Sequence, residues 1–326
     1  MSLMINGQIR EDWLEAETEQ GEFIRKDSVF RNWVTADGSA GSTGTAGFKA
    51  EPERYHLYIS HACPWAHRTL IFRTLKKLEH LISVSIVHPH MGDKGWEFAD
   101  FPGSSIDHCN HKDFMYEVYQ VADANYTGIV TVPVLWDKQT RTIVNNESSE
   151  IIRMFNSAFN AYTTDRTDYY PAAQKNQIDE INTLVYENIN NGVYRCGFAQ
   201  SQQAYETAYD RLFIALDQVE DILDSQAYLI GNNITEADWR LFTTLLRFDA
   251  VYFGHFKCNK KRIIDYPNLH NYLLELFQYP GIAETVNMQH IKQHYYYSHT
   301  SINPTRIVPK GPDMDFMQPH NRNRFR

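Results

Sequence analysis

The residues best suited to chemistry in this 326-residue chain begin with Cys63, in the run SHACPWAHR at 60–68. A strand-like segment, YHLYIS, ends just before it, and a helix-like segment, AHRTLIFRTLKKL, follows. Pro64 suits the first helical position, where a missing N–H is no loss and the fixed φ is already helical. Cys63 then stands against the unbonded N–H groups that open a helix, where the macrodipole favours an anion. The thiolate is the nucleophilic form of cysteine, and helix N-termini favour it. His67 and Arg68, one turn on, are expected to add positive potential. Free cysteine is often a buried packing residue. A Cys-Pro pair at a strand-to-helix junction points instead to a reactive thiol.

Two other groups agree with that reading. Thr131-Val132-Pro133 lies in the strand-like run VTVPVLWD (130–137), where proline removes a ladder hydrogen bond and is normally excluded. A cis bond between Val132 and Pro133 would turn the Val132 N–H and C=O away from a sheet neighbour. An extended peptide could then pair with them like an added strand. Glu147, Ser148 and Ser149 stand where a helix opens in NNESSEIIRMFN. Alone they are an ordinary N-cap. Beside a reactive thiol they are candidates for holding the charged end of a peptide ligand.

The remaining cysteines, Cys109, Cys196 and Cys258, are far apart and read as reduced thiols rather than a disulfide framework. Ala66 stands where a CxxC motif would carry its second cysteine, so a mixed disulfide on Cys63 needs an outside thiol to reopen it. Cys196 is the only plausible internal rival, and a packing role is expected for it. His88, His90, His108, Cys109 and His111 cluster in sequence, but at spacings that fit no structural zinc site. Loop histidines are the expectation, and no metal.

These groups need elements to position them. From about residue 54 the pattern is β-α-β-α-β-β-α: YHLYIS, a helix over 64–79, LISVSIVHPH, a helix around FMYEVYQVAD (114–123), VTVPVLWD, RTIVNN (141–146), and the helix at ESSEIIRMFN. The Asp-Lys-Gln-Thr joint between the last two strands marks a hairpin. Beyond residue 170 strand signals nearly vanish, and three long segments carry apolar residues at helical spacing. The expected division is an N-terminal extension over 1–50 with the flexible run GSAGSTGTAG, an α/β domain over 51–165 and an all-helical domain over 166–326. Length allows two domains with separate cores. A hydrophobic share of 43% and a charged share of 22% describe a soluble globular protein. The net charge of −9 argues against nucleic acid as a main partner. The opening MSLMINGQIREDW is no signal peptide, and no run approaches the roughly 20 apolar residues of a membrane span. A cytoplasmic protein without a membrane partner is expected. The 20 Tyr and 18 Phe point to large packed interfaces or an aromatic-lined pocket, with most of them read as core.

Taken together, the motifs resemble a thioredoxin-fold glutathione transferase, and within that superfamily the Xi-class glutathionyl-hydroquinone reductases. The resemblance is carried by SVFRNW (28–33), SHACPWAHR, KGWEF (94–98), TVPVLWDK, NNESSEIIRMFN, NGVYRCGFA, ITEADWRLF and HIKQHYYYSHTSINPTRIVPKGP, which span about residues 20–312. One departure is visible: some relatives carry an arginine just before the Val-Thr-Val-Pro run, where this chain has Ile129 and Val130. That puts one charge contact to glutathione in question.

The resemblance implies a thioredoxin-like domain followed by an all-helical glutathione-transferase domain, and a homodimer. It implies glutathione as co-substrate, with aromatic quinol conjugates as the other partner. Cys63 would attack a glutathionyl-hydroquinone, and a second glutathione would resolve the resulting mixed disulfide. Trp96, Val132, Pro133, Glu147 and Ser148 match glutathione-binding positions, with Val132 acting through its backbone. Tyr194 and one or both of Tyr295 and Tyr296 match the subsite for the quinol ring. Thr235 with Asp238 resembles the capping box of the superfamily, a stability device. Two other functions compete: a glutaredoxin-like thioltransferase or dehydroascorbate reductase of the Omega type, and a non-enzymatic carrier of aromatic ligands. The intact Cys63-Pro64 pair speaks against the carrier. The tyrosines, of no use to a glutaredoxin, separate the hydroquinone reductase from the thioltransferase.

Overall fold

The structure is a computed structural model, and its described residues are 2–10 and 18–325. The chain forms two compact units; the first comprises residues 2–10, 26–167 and 285–298. Strands β1 (Ser2–Ile5) and β2 (Gln8–Arg10) form a hairpin closed by Asn6 and Gly7 at φ 50° and 75°. A Cβ on Gly7 would lie 2.0 Å from the Ala124 carbonyl oxygen, so only glycine closes this turn. The short pair β3 (Thr18–Glu19) and β4 (Glu22–Phe23) belongs to the second unit. Strands β5 (Trp33–Thr35) and β6 (Gly47–Lys49) then pair in parallel around the Gly/Ser/Thr-rich loop.

The sheet that positions the thiol follows. Strand β7 (Tyr55–Ile59) is buried at all five residues, as a central strand covered on both faces should be. Helix α1 (Pro64–Leu75) carries the chain to β8 (Ile82–Ile86), parallel to β7. Helix α2 (Met115–Ala122) and β9 (Gly128–Val130) come next, then β10 (Val134–Asp137), β11 (Thr142–Asn145) and α3 (Ser148–Ser157). The sheet order is β11-β10-β7-β8, with β10 antiparallel to both neighbours, and α1 packs on α3. With β9 set aside, since it pairs in another sheet, this is the expected β-α-β-α-β-β-α order with thioredoxin-like connectivity.

Two details differ from the sequence reading. Pro133 is not inside a strand: β9 ends at Val130 and pairs with β1, while β10 begins at Val134 and pairs with β7. The long apolar run is thus two strands in two sheets, with the proline in the joint. Residues 1–50, read as an extension of weak periodicity, contribute β1, β2, β5 and β6 to the first unit.

The second unit comprises residues 18–25, 168–284 and 299–325. Its helices are α4 (Lys175–Val185), α5 (Gly192–Gly197), α6 (Gln202–Ser225), α7 (Glu236–Arg247) and α8 (Pro267–Phe277). Helix α7 is buried along its whole length, which requires its polar start to be satisfied internally. The capping box supplies that: Thr235 Oγ1 accepts the Ala237 N–H at 3.3 Å, and Asp238 Oδ2 accepts the Thr235 N–H at 2.8 Å. Tyr272 donates its hydroxyl to Asp238 Oδ1 at 2.7 Å. The last helix, α9 (Met288–Ser298), groups with the first unit although it follows the helical segment in sequence. Among the described residues no helix is long and apolar enough to cross a membrane.

Candidate active site

Cys63 occupies the position immediately before α1, in extended backbone geometry (φ −75°, ψ 121°), with Pro64 opening the helix. Its side chain makes no capping bond and is half-buried. The loop is fixed from Ser60, whose carbonyl accepts the Cys63 N–H at 3.2 Å and whose hydroxyl accepts the Ala62 N–H at 3.2 Å. The thiol Sγ lies 3.5 Å from the Val132 carbonyl oxygen, to which it donates. His67 and Arg68 are buried. His67 Nε2 bonds Thr285 Oγ1 at 2.8 Å. The Arg68 guanidinium lies 4.5 Å from the centre of the Trp65 ring and donates to Ser148 Oγ at 3.4 Å. They tie α1 to its surroundings.

The Val132–Pro133 peptide bond is cis, as the sequence suggested. Val132 lies outside both β9 and β10, so its backbone is engaged in no strand ladder. The residue before it is held by a buried tyrosine. Tyr119 donates its hydroxyl to the Thr131 carbonyl at 3.0 Å and accepts the Thr131 N–H at 3.3 Å. Asn146 Nδ2 donates to the same hydroxyl at 3.1 Å. Burial pushes the Tyr119 phenol pKa up, which keeps the hydroxyl a donor. Ile129 and Val130 pair with Leu3 and Ser2 of β1, so the positions where some relatives carry arginine serve a sheet here.

Glu147 is the N-cap of α3. Its Oε1 accepts the Ser149 N–H and the Ser149 hydroxyl, each at 2.9 Å, and Oε2 accepts the Ser28 hydroxyl at 3.3 Å. Ser148, beside it, is buried at the helix start. Residues 28–33 lie along this turn. Phe30 N–H bonds Asn146 Oδ1 and Asn146 N–H bonds the Phe30 carbonyl, both at 3.1 Å. Arg31 grips Glu150 with two bonds, Nε to Oε2 at 2.8 Å and the outer nitrogen to Oε1 at 2.5 Å. Burial alone would raise the Glu150 pKa, but hydrogen bonds from Arg31, Asn145 and Thr43 outweigh it and leave the value lowered. The SVFRNW motif therefore has a structural task, bracing the turn that presents Glu147 and Ser148.

Trp96 is 3% exposed, with its ring stacked on His294 at 4.7 Å and 25°. Tyr295 is 1% exposed, whereas Tyr296 is half-buried and its phenol is pushed up in pKa by that burial. Of the two, Tyr296 is the more accessible. Tyr194 belongs to the second unit, in a cage of Phe23, Phe198, Tyr252 and Phe256. The Arg25 guanidinium sits 5.0 Å from the centre of the Tyr194 ring, and its Nε donates to Asn191 Oδ1 at 3.1 Å. Cys63 and Val132 are thus in direct contact, and Trp96, Pro133, Glu147, Ser148, Tyr295 and Tyr296 share their unit. Sequence reasoning missed Ser28, Tyr119, Asn146 and His294 as supports. Ser28, Asn146 and His294 lie within the motifs SVFRNW, NNESSEIIRMFN and HIKQHYYYSHTSINPTRIVPKGP, but nothing local in those strings marks them as supports.

Two family matches cover these units: the N-terminal domain of glutathione S-transferase over residues 62–158, and its C-terminal domain over residues 202–275. Across 323 residues the chain is 54% identical to glutathionyl-hydroquinone reductase YqjG of Escherichia coli strain K12, covering 99% of this chain and 98% of that protein. This chain belongs to the glutathionyl-hydroquinone reductase family of glutathione transferases. Glutathionyl-hydroquinone reductase PcpF of Sphingobium chlorophenolicum is 51% identical over 96% of either protein. The glutathione-bound structure of YqjG superposes with a TM-score of 0.91 at 53% identity, over 98% of this chain and 99% of that one. A Xi-class glutathione transferase from Natrialba magadii superposes with a TM-score of 0.90 at 47% identity, over 99% of this chain and 97% of that one. Family membership makes the protein an enzyme of the glutathione transferase superfamily, with a thioredoxin-like domain followed by a helical one.

Proposed function

We propose that the protein reduces S-glutathionyl-hydroquinones to free hydroquinones, with glutathione as reductant. In the first step the Cys63 thiolate attacks the glutathione sulfur of the conjugate. A Cys63–glutathione disulfide forms, the sulfur–ring carbon bond breaks, and its electron pair leaves with the ring, which takes up a proton. In the second step a glutathione thiolate attacks the mixed disulfide, releasing oxidised glutathione and restoring the Cys63 thiolate. The exchange balances without a metal. Val132 pairs with the glutathione backbone, Glu147 and Ser148 hold its γ-glutamyl end, and Trp96 and Pro133 line its seat. Tyr295 or Tyr296, with Tyr194, donates hydrogen bonds to the quinol oxygens and stabilises charge developing there. The reading also carries a homodimer, from the resemblance, and a cytoplasmic location; sedimentation of the purified chain tests the first.

The observation that carries this reading is the Cys63 thiol at the opening of α1, with no capping bond and 3.5 Å from the Val132 carbonyl. Incubation with glutathionyl-menadione and glutathione, followed for menadiol and oxidised glutathione, tests it. Substrate given without free glutathione should leave one glutathione on Cys63, visible by mass spectrometry. Turnover of small glutathione mixed disulfides without turnover of glutathionyl-menadione would favour the general thioltransferase instead.

A further inference from the structure

Helix α9 carries Tyr295 and Tyr296, and within the first unit it is bound to the thiol-bearing segments by a series of histidine contacts. Just ahead of the helix, the Thr285 hydroxyl meets His67 at 2.8 Å. The His290 ring packs edge-on against His61 at 5.3 Å, and its Nε2 donates to the Pro102 carbonyl at 2.8 Å. Gln293 Oε1 meets His90 Nε2 at 2.7 Å, and Tyr297 stacks on His90 at 3.7 Å. His294 lies between these, immediately before the tyrosine pair. Its Nδ1 donates to the Pro89 carbonyl at 2.9 Å while its ring lies 4.7 Å from Trp96. A carbonyl only accepts, so this bond fixes which ring nitrogen carries the proton, and the stack fixes the ring plane.

We propose that His294 is a specificity-determining positioning residue, which registers Tyr295 and Tyr296 against the glutathione seat at Trp96. This rests on the function proposed above. His294 takes no part in the thiol exchange; it acts through the helix it anchors. A conjugate with a quinol ring needs glutathione and phenols held in one register, and small misplacements of such groups cost rate steeply. A mixed disulfide of glutathione with a small aliphatic thiol needs only the glutathione seat and Cys63. His294 should therefore govern the ratio between the two substrates.

The test compares the full-length wild type with His294→Ala, His294→Gln and His294→Phe, on glutathionyl-menadione and on the glutathione–2-mercaptoethanol disulfide at saturating glutathione. His294→Ala should lower kcat/KM on glutathionyl-menadione about tenfold, and the ratio of the two values at least about threefold. His294→Gln keeps a donor for Pro89 but no ring, and should show the same fall in ratio if the alanine variant does not fold. His294→Phe keeps a ring for Trp96 and should recover most of the ratio. Equal losses on both substrates, or an unchanged ratio in the alanine and glutamine variants, would overturn the proposal. A wild type active on the small disulfide but inert toward glutathionyl-menadione would sink the function itself, and the positioning role with it.

Discussion

The two units treat the same residue type in opposite ways. Cys63 is half-exposed at the start of a helix, with its thiol side chain left uncommitted to capping. Cys196 and Cys258 lie within the second unit, 2% and 0% exposed. Burial pushes the Cys258 thiol well above its ordinary pKa, and the neighbouring Cys196 adds to that. A thiol held neutral in an apolar interior is suited to packing; a thiol at an open helix N-terminus is suited to nucleophilic attack. Spacing in the sequence does not separate the three, but the element each one begins or fills does.

That contrast breaks most cleanly at Cys63. Cys63→Ser should reduce glutathionyl-menadione turnover to the uncatalysed background, because a hydroxyl is a far weaker nucleophile than a thiolate. Cys258→Ala should turn over substrate at the wild-type rate. Substantial activity in the first variant, or loss of the glutathione adduct in the second, would move the chemistry into the helical unit.

A second comparison sets the tyrosines of the two units side by side. Tyr194→Phe combined with Tyr295→Phe and Tyr296→Phe should slow glutathionyl-menadione turnover at least about tenfold, since each lost hydroxyl bond costs about 0.5–1.5 kcal/mol and more when charge develops. Of the single variants in α9, Tyr296→Phe should cost more, because Tyr295 is 1% exposed. If Tyr295→Phe proved the costlier, that helix would have to present its buried face to substrate. Glu147→Gln addresses the other half of the conjugate. Removing the carboxylate charge should raise KM for glutathione about tenfold with little change in kcat. A fall confined to kcat would instead mark Glu147 as part of the chemical step.

The thiol-bearing core was legible in sequence because its signals are local. Pro64 announces a helix start, Tyr55–Ile59 an apolar strand, and Glu147 with Ser148 and Ser149 a cap. The sheet contributions of residues 2–10 and 33–49 were not legible. Strands of three or four residues carry almost no periodicity, and a partner can lie far along the chain, as Val130 of β9 does from Ser2 of β1. The VTVPVLWD run misled for a related reason: apolar content cannot show that Val130 and Val134 belong to different sheets. Helix α9 lies beyond the three segments with helical spacing, and nothing local in its sequence assigns it to the first unit. Contacts with His61, Pro89, His90, Trp96 and Pro102, all far upstream, join it to the thiol-bearing unit. Among the site residues, those at element boundaries were visible, whereas Tyr119, Asn146 and His294 act through contacts between distant segments.

The bracing of the Glu147 turn gives the smallest and most specific expectation. Arg31 and Glu150 pair with side chains 30% and 8% exposed, so part of their attraction is screened by water. Replacing Glu150 by Gln should cost about 1 kcal/mol of stability at neutral pH. The sign of its pH dependence follows from the carboxyl. Burial would raise its pKa, but Arg31, Asn145 and Thr43 together hold it below the ordinary glutamate value of 4.5. The folded protein therefore binds that proton less readily than the unfolded chain does. The contribution is fully present above the ordinary value and is lost as pH falls through the lowered folded one. Urea midpoints of wild type and Glu150→Gln should differ by a constant amount from pH 7 to about pH 5, then converge below about pH 4.5. A gap that persists or widens in acid would show that the Arg31 fork does not hold a charged carboxylate. The bracing of the Glu147 turn would then have to come from the neutral bonds among Ser28, Phe30 and Asn146.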